Sequence, residues 1–257
     1  MHLGKFIKKL DKKYHKIFFS GIAFNSALVK KDYIFFAIKG DKFDGNNYIQ
    51  KAIKKGARII ISKENINFQN KDIIFLKSEN PRKLLAELSY KLVKINVKKL
   101  IAVTGTNGKS SVADFYYQIL NLSKKKVASI GTIGVQSKNK KREIENTTLN
   151  SIDLSKIIDN LSLKKIDHII LEASSHGLKQ NRLDGLSFDI GIFTNLSHDH
   201  LDYHKNFRGY LNSKLYLFKH LIKKRGYIIS DSTIQQLSEI KKISNKKKLK
   251  LKTVFGK

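Results

Sequence analysis

The run from Leu100 to Ser111 constrains the fold more than any other stretch of the chain. An apolar, β-prone segment (Leu100-Ile101-Ala102-Val103-Thr104) ends abruptly in the Gly-rich turn Gly105-Thr106-Asn107-Gly108. The pair Lys109-Ser110 follows, and then a helix-compatible sequence from Val112 to Leu122. Strand, glycine turn and helix in that order make a phosphate cradle. Glycines let backbone N–H groups converge on phosphate oxygens, and the helix N-terminus adds partial positive charge. Lys109 is placed to reach β- and γ-phosphates, and the Ser110 hydroxyl to ligate Mg²⁺. The spacing is short for the usual pattern, because only two residues separate Gly105 from Gly108. The flanking strand and helix carry the assignment, which implies ATP or a close relative as ligand; an exposed helix cap is the alternative.

At 257 residues the chain has room for two domains or one large α/β domain. Its 41% hydrophobic content supports a real core. Without cysteine there is no disulfide or thiol chemistry. No apolar stretch approaches the ~20 residues of a membrane span, and the N-terminus lacks the apolar core of a signal peptide. The expectation is therefore a cytoplasmic protein with no membrane partner. A formal charge of +30 invites a nucleic-acid reading. Only six of the 51 basic residues are arginine, however, and the lysines are dispersed along the whole chain. That distribution argues against a groove-reading surface, so nucleic acid is not an expected partner. The charge still favours anionic substrates.

The first 97 residues read as a small α/β unit. Strands are expected over Ile17–Phe24, Tyr33–Ile38, Ala57–Ser62 and Asp72–Leu76, with helices over Tyr48–Lys55 and Arg82–Val93. Pro81, the only proline, stands where a first-turn proline is tolerated. Residues 94–98 form a plausible boundary, and residues 98–257 a second domain. There the phosphate turn and its helix lead to a strand over Lys126–Ile130. A polar excursion from Gln136 to Asn146 reads as a surface loop. Further strands are expected over Ile166–Leu171, Phe188–Thr194, Gly226–Ser230 and Leu249–Phe255, and helices over Ile152–Leu161 and Tyr210–Leu221. Alternating strands and helices imply a mostly parallel sheet with helices on both faces, and ligands collect at the carboxyl ends of such strands.

Three segments fall at those ends: Gly105–Ser111, Glu172–His176 and Asn195–His204. A carboxylate such as Glu172 facing the cradle is well placed to hold Mg²⁺, with a helix cap as the plainer role. The seven residues His198–His204 contain three histidines and two aspartates. Taken alone they could form a zinc or di-metal site, or supply one functional histidine among structural ones. Lone histidines such as His168 and His220 read as packing or surface residues. Thr147, Thr148, Ser174, Gln180 and Arg182 are hydrogen-bonding groups available to a polar or anionic substrate.

Together these motifs resemble the Mur ligases of peptidoglycan synthesis, in particular members that add the third amino acid of the peptide. The resemblance rests on the runs Thr104–Ser110, Gly131–Gly134, Asn146–Thr148, Glu172–Leu178 with Arg182, Phe193–His204 and Ser213–Phe218, in that order. It implies an ATP-dependent ligase joining diaminopimelate or lysine to UDP-MurNAc-L-Ala-D-Glu through an acyl phosphate, as a monomer. In that family pattern residues Gly105, Thr106, Asn107, Gly108, Lys109, Ser110 and Ser111 cradle ATP, with Ser110 on one Mg²⁺. Glu172 and His200 hold a second Mg²⁺, and Lys214 matches a lysine carbamylated by CO₂, whose anion replaces an ammonium that would repel metal. Lys109, Lys214 and His200 are the implied catalytic residues. Asn146, Thr147, Thr148, Ser174, Gln180 and Arg182 match contacts to the UDP-muramoyl substrate, and Ser26 a uridine contact. The implied organisation is an N-terminal substrate domain over residues 1–97 and a central ATP domain over 98–257.

Some positions depart from the pattern. Asn25-Ser26-Ala27 replaces a common Asp-Ser-Arg, His198 stands where many members have arginine, and Ser110-Ser111 replaces Thr-Thr. The family continues into a C-terminal domain that binds the amino acid. The expectation is that the sequence ends within the central domain and does not by itself complete the ligation. The alternatives are a folylpolyglutamate synthase or another ligase of the superfamily, or a basic phosphate-loop protein bound to nucleic acid.

Overall fold

A computed structural model describes residues 1–7, 10–40, 43–65, 72–138 and 140–254, apart from the side chain of Leu201. The chain forms two compact units, Met1–Leu92 and Val93–Lys257.

In the first unit four parallel strands, β1 (Gly21–Ala23), β2 (Tyr33–Ala37), β3 (Ala57–Ser62) and β4 (Ile74–Lys77), lie side by side in chain order. Parallel strands are covered on both faces and read as continuous apolar runs, as Ile59-Ile60-Ile61 of β3 does. Helix α1 (Ile49–Lys54) contributes Ile49 and Ala52 to a core shared with Phe35, Ala37, Ala57 and Ile60. Helix α2 (Pro81–Lys91) starts on Asn80, whose side chain accepts from the Lys83 N–H at 2.9 Å, with Pro81 in the first turn. The expected strand over Ile17–Phe24 contracts to β1, because its register with β2 covers only Gly21–Ala23.

The second unit is built on an eight-stranded sheet. Its elements are β5 (Lys99–Thr104), α3 (Lys109–Leu122), β6 (Val127–Gly131), β7 (Gly134–Ser137), β8 (Lys140–Arg142), α4 (Ser151–Leu163), β9 (His168–Glu172), α5 (Ser175–Lys179), β10 (Phe188–Phe193), α6 (Leu201–His204), α7 (Phe207–Tyr216), β11 (Ile222–Asp231), α8 (Leu237–Lys247) and β12 (Lys250–Val254). The spatial order is β12-β11-β10-β5-β9-β6-β7-β8. All pairs are parallel except β6–β7 and β7–β8.

From β5 the chain steps through α3 toward β6; all later parallel crossovers run in the opposite direction. Right-handed connections then put α3 on one face and α4, α7 and α8 on the other. Side chains of β10 agree: Ile190 and Ile192 pack with Val112 and Tyr116 of α3, whereas Phe193 meets Phe218, their rings 6.1 Å apart. The reversal beside β5 is a topological switch point, where open sheets of this kind bind ligands.

Several sequence expectations are corrected. Residues 136–146 are not merely a surface loop, because β7 and β8 extend the sheet as an antiparallel hairpin. The helix expected to end at Leu221 stops at Tyr216 and continues as one π-helical turn over Leu217–Leu221. Helix α8 had no counterpart in the pattern. The last expected strand is β12 as far as Val254, and Phe255 lies outside the described residues.

Candidate nucleotide and substrate site

Helix α3 begins differently from α2, α4 and α7. Those three are capped by asparagine side chains, of Asn80, Asn150 and Asn206. At α3 the cap is Gly108 with φ +80°, which supplies no side-chain acceptor. Its first-turn N–H groups therefore keep their donors for a ligand. The left-handed backbone at that point is one that glycine adopts without a Cβ penalty.

The turn is braced by the end of β10. The Asn107 N–H donates to Asn195 Oδ1 at 2.9 Å, Thr194 Oγ1 donates to the Asn107 carbonyl at 2.7 Å, and the Thr106 N–H donates to the Asn195 carbonyl at 3.0 Å. Lys109 folds back on its own loop, donating to the carbonyls of Thr106 (2.7 Å) and Gly105 (3.1 Å). Lys214, from α7, also donates to the Gly105 carbonyl, at 2.6 Å, and is 1% exposed. Burial, with the Lys109 charge adding to it, pushes the Lys214 amine down to about 7, against a smaller opposing pull from Asp199. Burial also lowers Lys109, offset by attraction to Glu172 and Asp199. Two amines thus converge on one carbonyl at the mouth of the cradle, an arrangement primed for anionic groups.

Glu172 ends β9 and is 2% exposed. Ser110 Oγ donates to its Oε2 at 3.0 Å, the Thr132 N–H to its Oε1 at 2.8 Å, and Thr132 Oγ1 to Oε2 at 3.3 Å. The helix-cap role considered for Glu172 belongs to Ser174, whose Oγ accepts from the Gly177 N–H. Gly131 makes room for the carboxylate, since a Cβ there would stand 2.1 Å from Glu172 Oε1.

From Glu172 a line of hydrogen bonds leads away from the phosphate turn. Its carbonyl accepts from Thr148 Oγ1 at 2.8 Å, and that oxygen accepts from the Ser174 N–H at 2.9 Å. Arg182 donates to the Thr148 carbonyl at 2.5 Å, and through Nε and Nη2 to Gln180 Oε1 at 3.1 and 2.8 Å. Thr147 Oγ1 pairs with Thr132 Oγ1 at 2.9 Å. The structure therefore gathers Ser110, Thr147, Thr148, Glu172, Ser174, Gln180 and Arg182. Asn146 is exposed and lines a cleft between the β7–β8 hairpin and α4. Ser26 belongs to the first unit, where it is buried at the start of a 3₁₀ turn capped by Asn25.

The reading of His198–His204 as a zinc or di-metal site is corrected: among the described residues no three His, Asp or Glu side chains gather as a metal site. The run spends its rings on packing. His200, at φ +51°, faces Asp199 at 3.4 Å and packs edge-on against His176, ring centres 4.9 Å apart. His204 is 3% exposed between Tyr210, Tyr203 and His176, and neither ring nitrogen has a hydrogen-bond partner. Burial and nearby positive groups, Lys179 first, push its pKa down to about 4.

The oxygen donors Ser110 and Glu172 suit a hard cation. A Mg²⁺ ion keeps several waters and takes one or two carboxylates plus substrate phosphates rather than an all-protein cage, so the sparse donor set fits it. Sequence reasoning had Thr132, His176, Asn195 and Tyr203 inside its motifs but assigned none of them a role. Their signal is contact with residues far along the chain.

Comparison with known proteins matches residues 19–101 to the family described as Mur ligase family, catalytic domain, and residues 103–257 to Mur ligase middle domain. A UDP-N-acetylmuramoyl-L-alanyl-D-glutamate–2,6-diaminopimelate ligase of Rickettsia conorii is 40% identical over 242 residues, covering 91% of this chain and 49% of the relative. The ligase of the same name from Clostridium tetani is 39% identical over 232 residues, covering 86% and 47%. A solved structure with that ligase name superposes with a TM-score of 0.84 at 24% identity, over 99% of this chain and 52% of the other. The chain spans about half the length of the curated relatives it matches.

Proposed function

The chain belongs to the Mur ligase family, and on that premise we propose that it carries the nucleotide and UDP-muramoyl sites of a cytoplasmic ligase. That ligase joins an amino acid to UDP-MurNAc-L-Ala-D-Glu at the expense of ATP. The names of the relatives support 2,6-diaminopimelate, rather than lysine, as the amino acid. One observation carries the reading: the unbroken hydrogen-bonded line from Ser110 through Glu172 and Thr148 to Ser174 and Arg182. It joins the phosphate turn to the residues assigned to the substrate, which supports binding of nucleotide and substrate side by side.

In the reaction the substrate carboxylate attacks the γ-phosphorus of ATP. A carboxylate–phosphorus bond forms, the β–γ bridge breaks and ADP leaves. The amine of the incoming amino acid then attacks the acyl carbon, loses a proton and expels inorganic phosphate. Catalysis of this kind is mainly positioning and charge neutralisation. The free N–H groups of α3 receive phosphate oxygens, and the Lys109 ammonium exchanges its loop carbonyls for the β- and γ-phosphates. Ser110 would hold one Mg²⁺ and Glu172 a second, with His200 the further ligand that the family pattern implies, and the ions would offset charge on the phosphates. Arg182 and Ser174 orient the muramoyl peptide. A Lys214 amine titrating near 7 is neutral often enough to attack CO₂. The new N–C bond and the released proton leave a carbamate anion in place of a buried cation.

Titration with UDP-MurNAc-L-Ala-D-Glu and, separately, with a dihydropteroate tests the proposal. It expects saturable binding of the first and none of the second; the reverse would assign the chain to folate chemistry.

A further inference from the structure

Tyr203 lies between the two sets of site residues and belongs to neither. Its hydroxyl accepts from Gln180 Nε2 at 3.0 Å, and Gln180 in turn holds the Arg182 guanidinium through two donors. Its ring stacks on His176, centres 4.1 Å apart and planes 28° apart, and the Lys179 ammonium sits 4.3 Å from the ring centre. Lys179 Nζ also donates to the Tyr203 carbonyl at 3.0 Å. His176, Lys179 and Gln180 all come from α5 and the residue that ends it, so Tyr203 ties α6 to α5 beside His204, whose ring centre lies 5.5 Å from that of His176. The segment it docks carries His200, which packs on the same His176 ring.

We propose that Tyr203 is a positioning residue that sets the Arg182 guanidinium for an anionic group of the substrate, acting through Gln180. The proposal rests on the ligase reading for the identity of that substrate but not for the positioning itself. Gln180 has one amide oxygen, and Arg182 uses it twice. The two guanidinium donors already turn that oxygen to Arg182, and Tyr203 Oη, accepting from Nε2, holds the amide from its other end. Without the hydroxyl the amide is held from one side only, and Gln180 and the guanidinium bonded to it can shift together.

The test compares the parent chain with Tyr203→Phe, Arg182→Ala and the double variant. Phenylalanine keeps the stack and the cation–π contact and removes only the acceptor, and cooperative unfolding of each variant confirms folding. Toward UDP-MurNAc-L-Ala-D-Glu, Tyr203→Phe is expected to bind about five-fold more weakly, the loss of one neutral hydrogen bond. Its affinity for ADP with Mg²⁺ should match the parent's, and in the Arg182→Ala background the same substitution should change nothing. Unaltered affinity in Tyr203→Phe, or equal weakening in both backgrounds, overturns the proposal. If the parent chain does not bind that ligand, the ligase reading fails, and the guanidinium N–H resonances of Arg182 decide the positioning alone. They should be separately resolved in the parent and averaged in Tyr203→Phe; identical spectra overturn it.

Discussion

Lys214 sits where water scarcely reaches, with its amine on the Gly105 carbonyl and another lysine nearby. Its folded-state value near 7 lies below the ordinary 10.5. Between those values the unfolded chain binds a proton that the folded chain does not, so this residue makes stability rise with pH across that window. Urea midpoints at pH 7 and pH 9 are expected to show a larger rise for the parent than for Lys214→Met. Carbon-13 bicarbonate should also give a carbamate resonance in the parent that Lys214→Met lacks. His204 works in the acidic range. With its value near 4, below the ordinary 6.5, the unfolded chain takes up the extra proton as pH falls between the two. Its contribution, complete above pH 6.5, is therefore lost toward pH 4. His204→Phe, which keeps an aromatic ring among Tyr203, Tyr210 and His176, should flatten the fall in melting temperature from pH 6.5 to pH 4.5. An unchanged slope would show that other groups drive the acid transition.

At the scale of elements, the sheet positions the site by ending three neighbouring strands, β10, β5 and β9, in functional residues. β6 contributes through a glycine. Gly131→Ala would place a Cβ 2.1 Å from Glu172 Oε1 and 2.5 Å from its Cγ. Overpacking of this kind costs about 1–3 kcal/mol, and it would push the carboxylate off Ser110. Chemical denaturation should show that loss of stability, and nucleotide titration a weaker Mg²⁺ dependence; a variant as stable as the parent would contradict the packing. The strand–turn–helix unit was legible because apolar run, glycines and Lys-Ser fall within one local window. β3 was legible for the same reason, through its apolar run Ile59-Ile60-Ile61. The β7–β8 hairpin was not: its charged strand Lys140-Lys141-Arg142 has no buried face to alternate with, and its pairing with β7 is what makes it a strand. Within the site, Lys109, Ser110 and Glu172 were readable from their motifs. Thr132 and Tyr203 were not, because their roles consist of bonds to Glu172 and Gln180, 40 and 23 residues away.

For the molecule as a whole, a charge of +30 works against compactness through self-repulsion. Raising ionic strength from 20 to 300 mM is expected to raise the melting temperature, and a flat response would mean that the charges are already compensated. The same dispersed lysines should give only non-specific DNA binding, with a Kd of about 10⁻⁴–10⁻⁶ M at physiological salt and no sequence preference. We propose that the charge instead draws anionic substrates to a cradle where the Lys109 and Lys214 amines meet the Gly105 carbonyl. That cradle is the proposed nucleotide site. The most direct measurement is calorimetric titration of the parent chain, Lys109→Ala and Ser110→Ala with ATP and Mg²⁺. One ATP is expected to bind the parent. Lys109→Ala should lose about tenfold or more in affinity, the loss of a charge-assisted contact, and Ser110→Ala should lose its dependence on Mg²⁺. A parent chain that takes up no ATP, or variants that bind as it does, would contradict the assignment of Gly105–Ser111 as the nucleotide site.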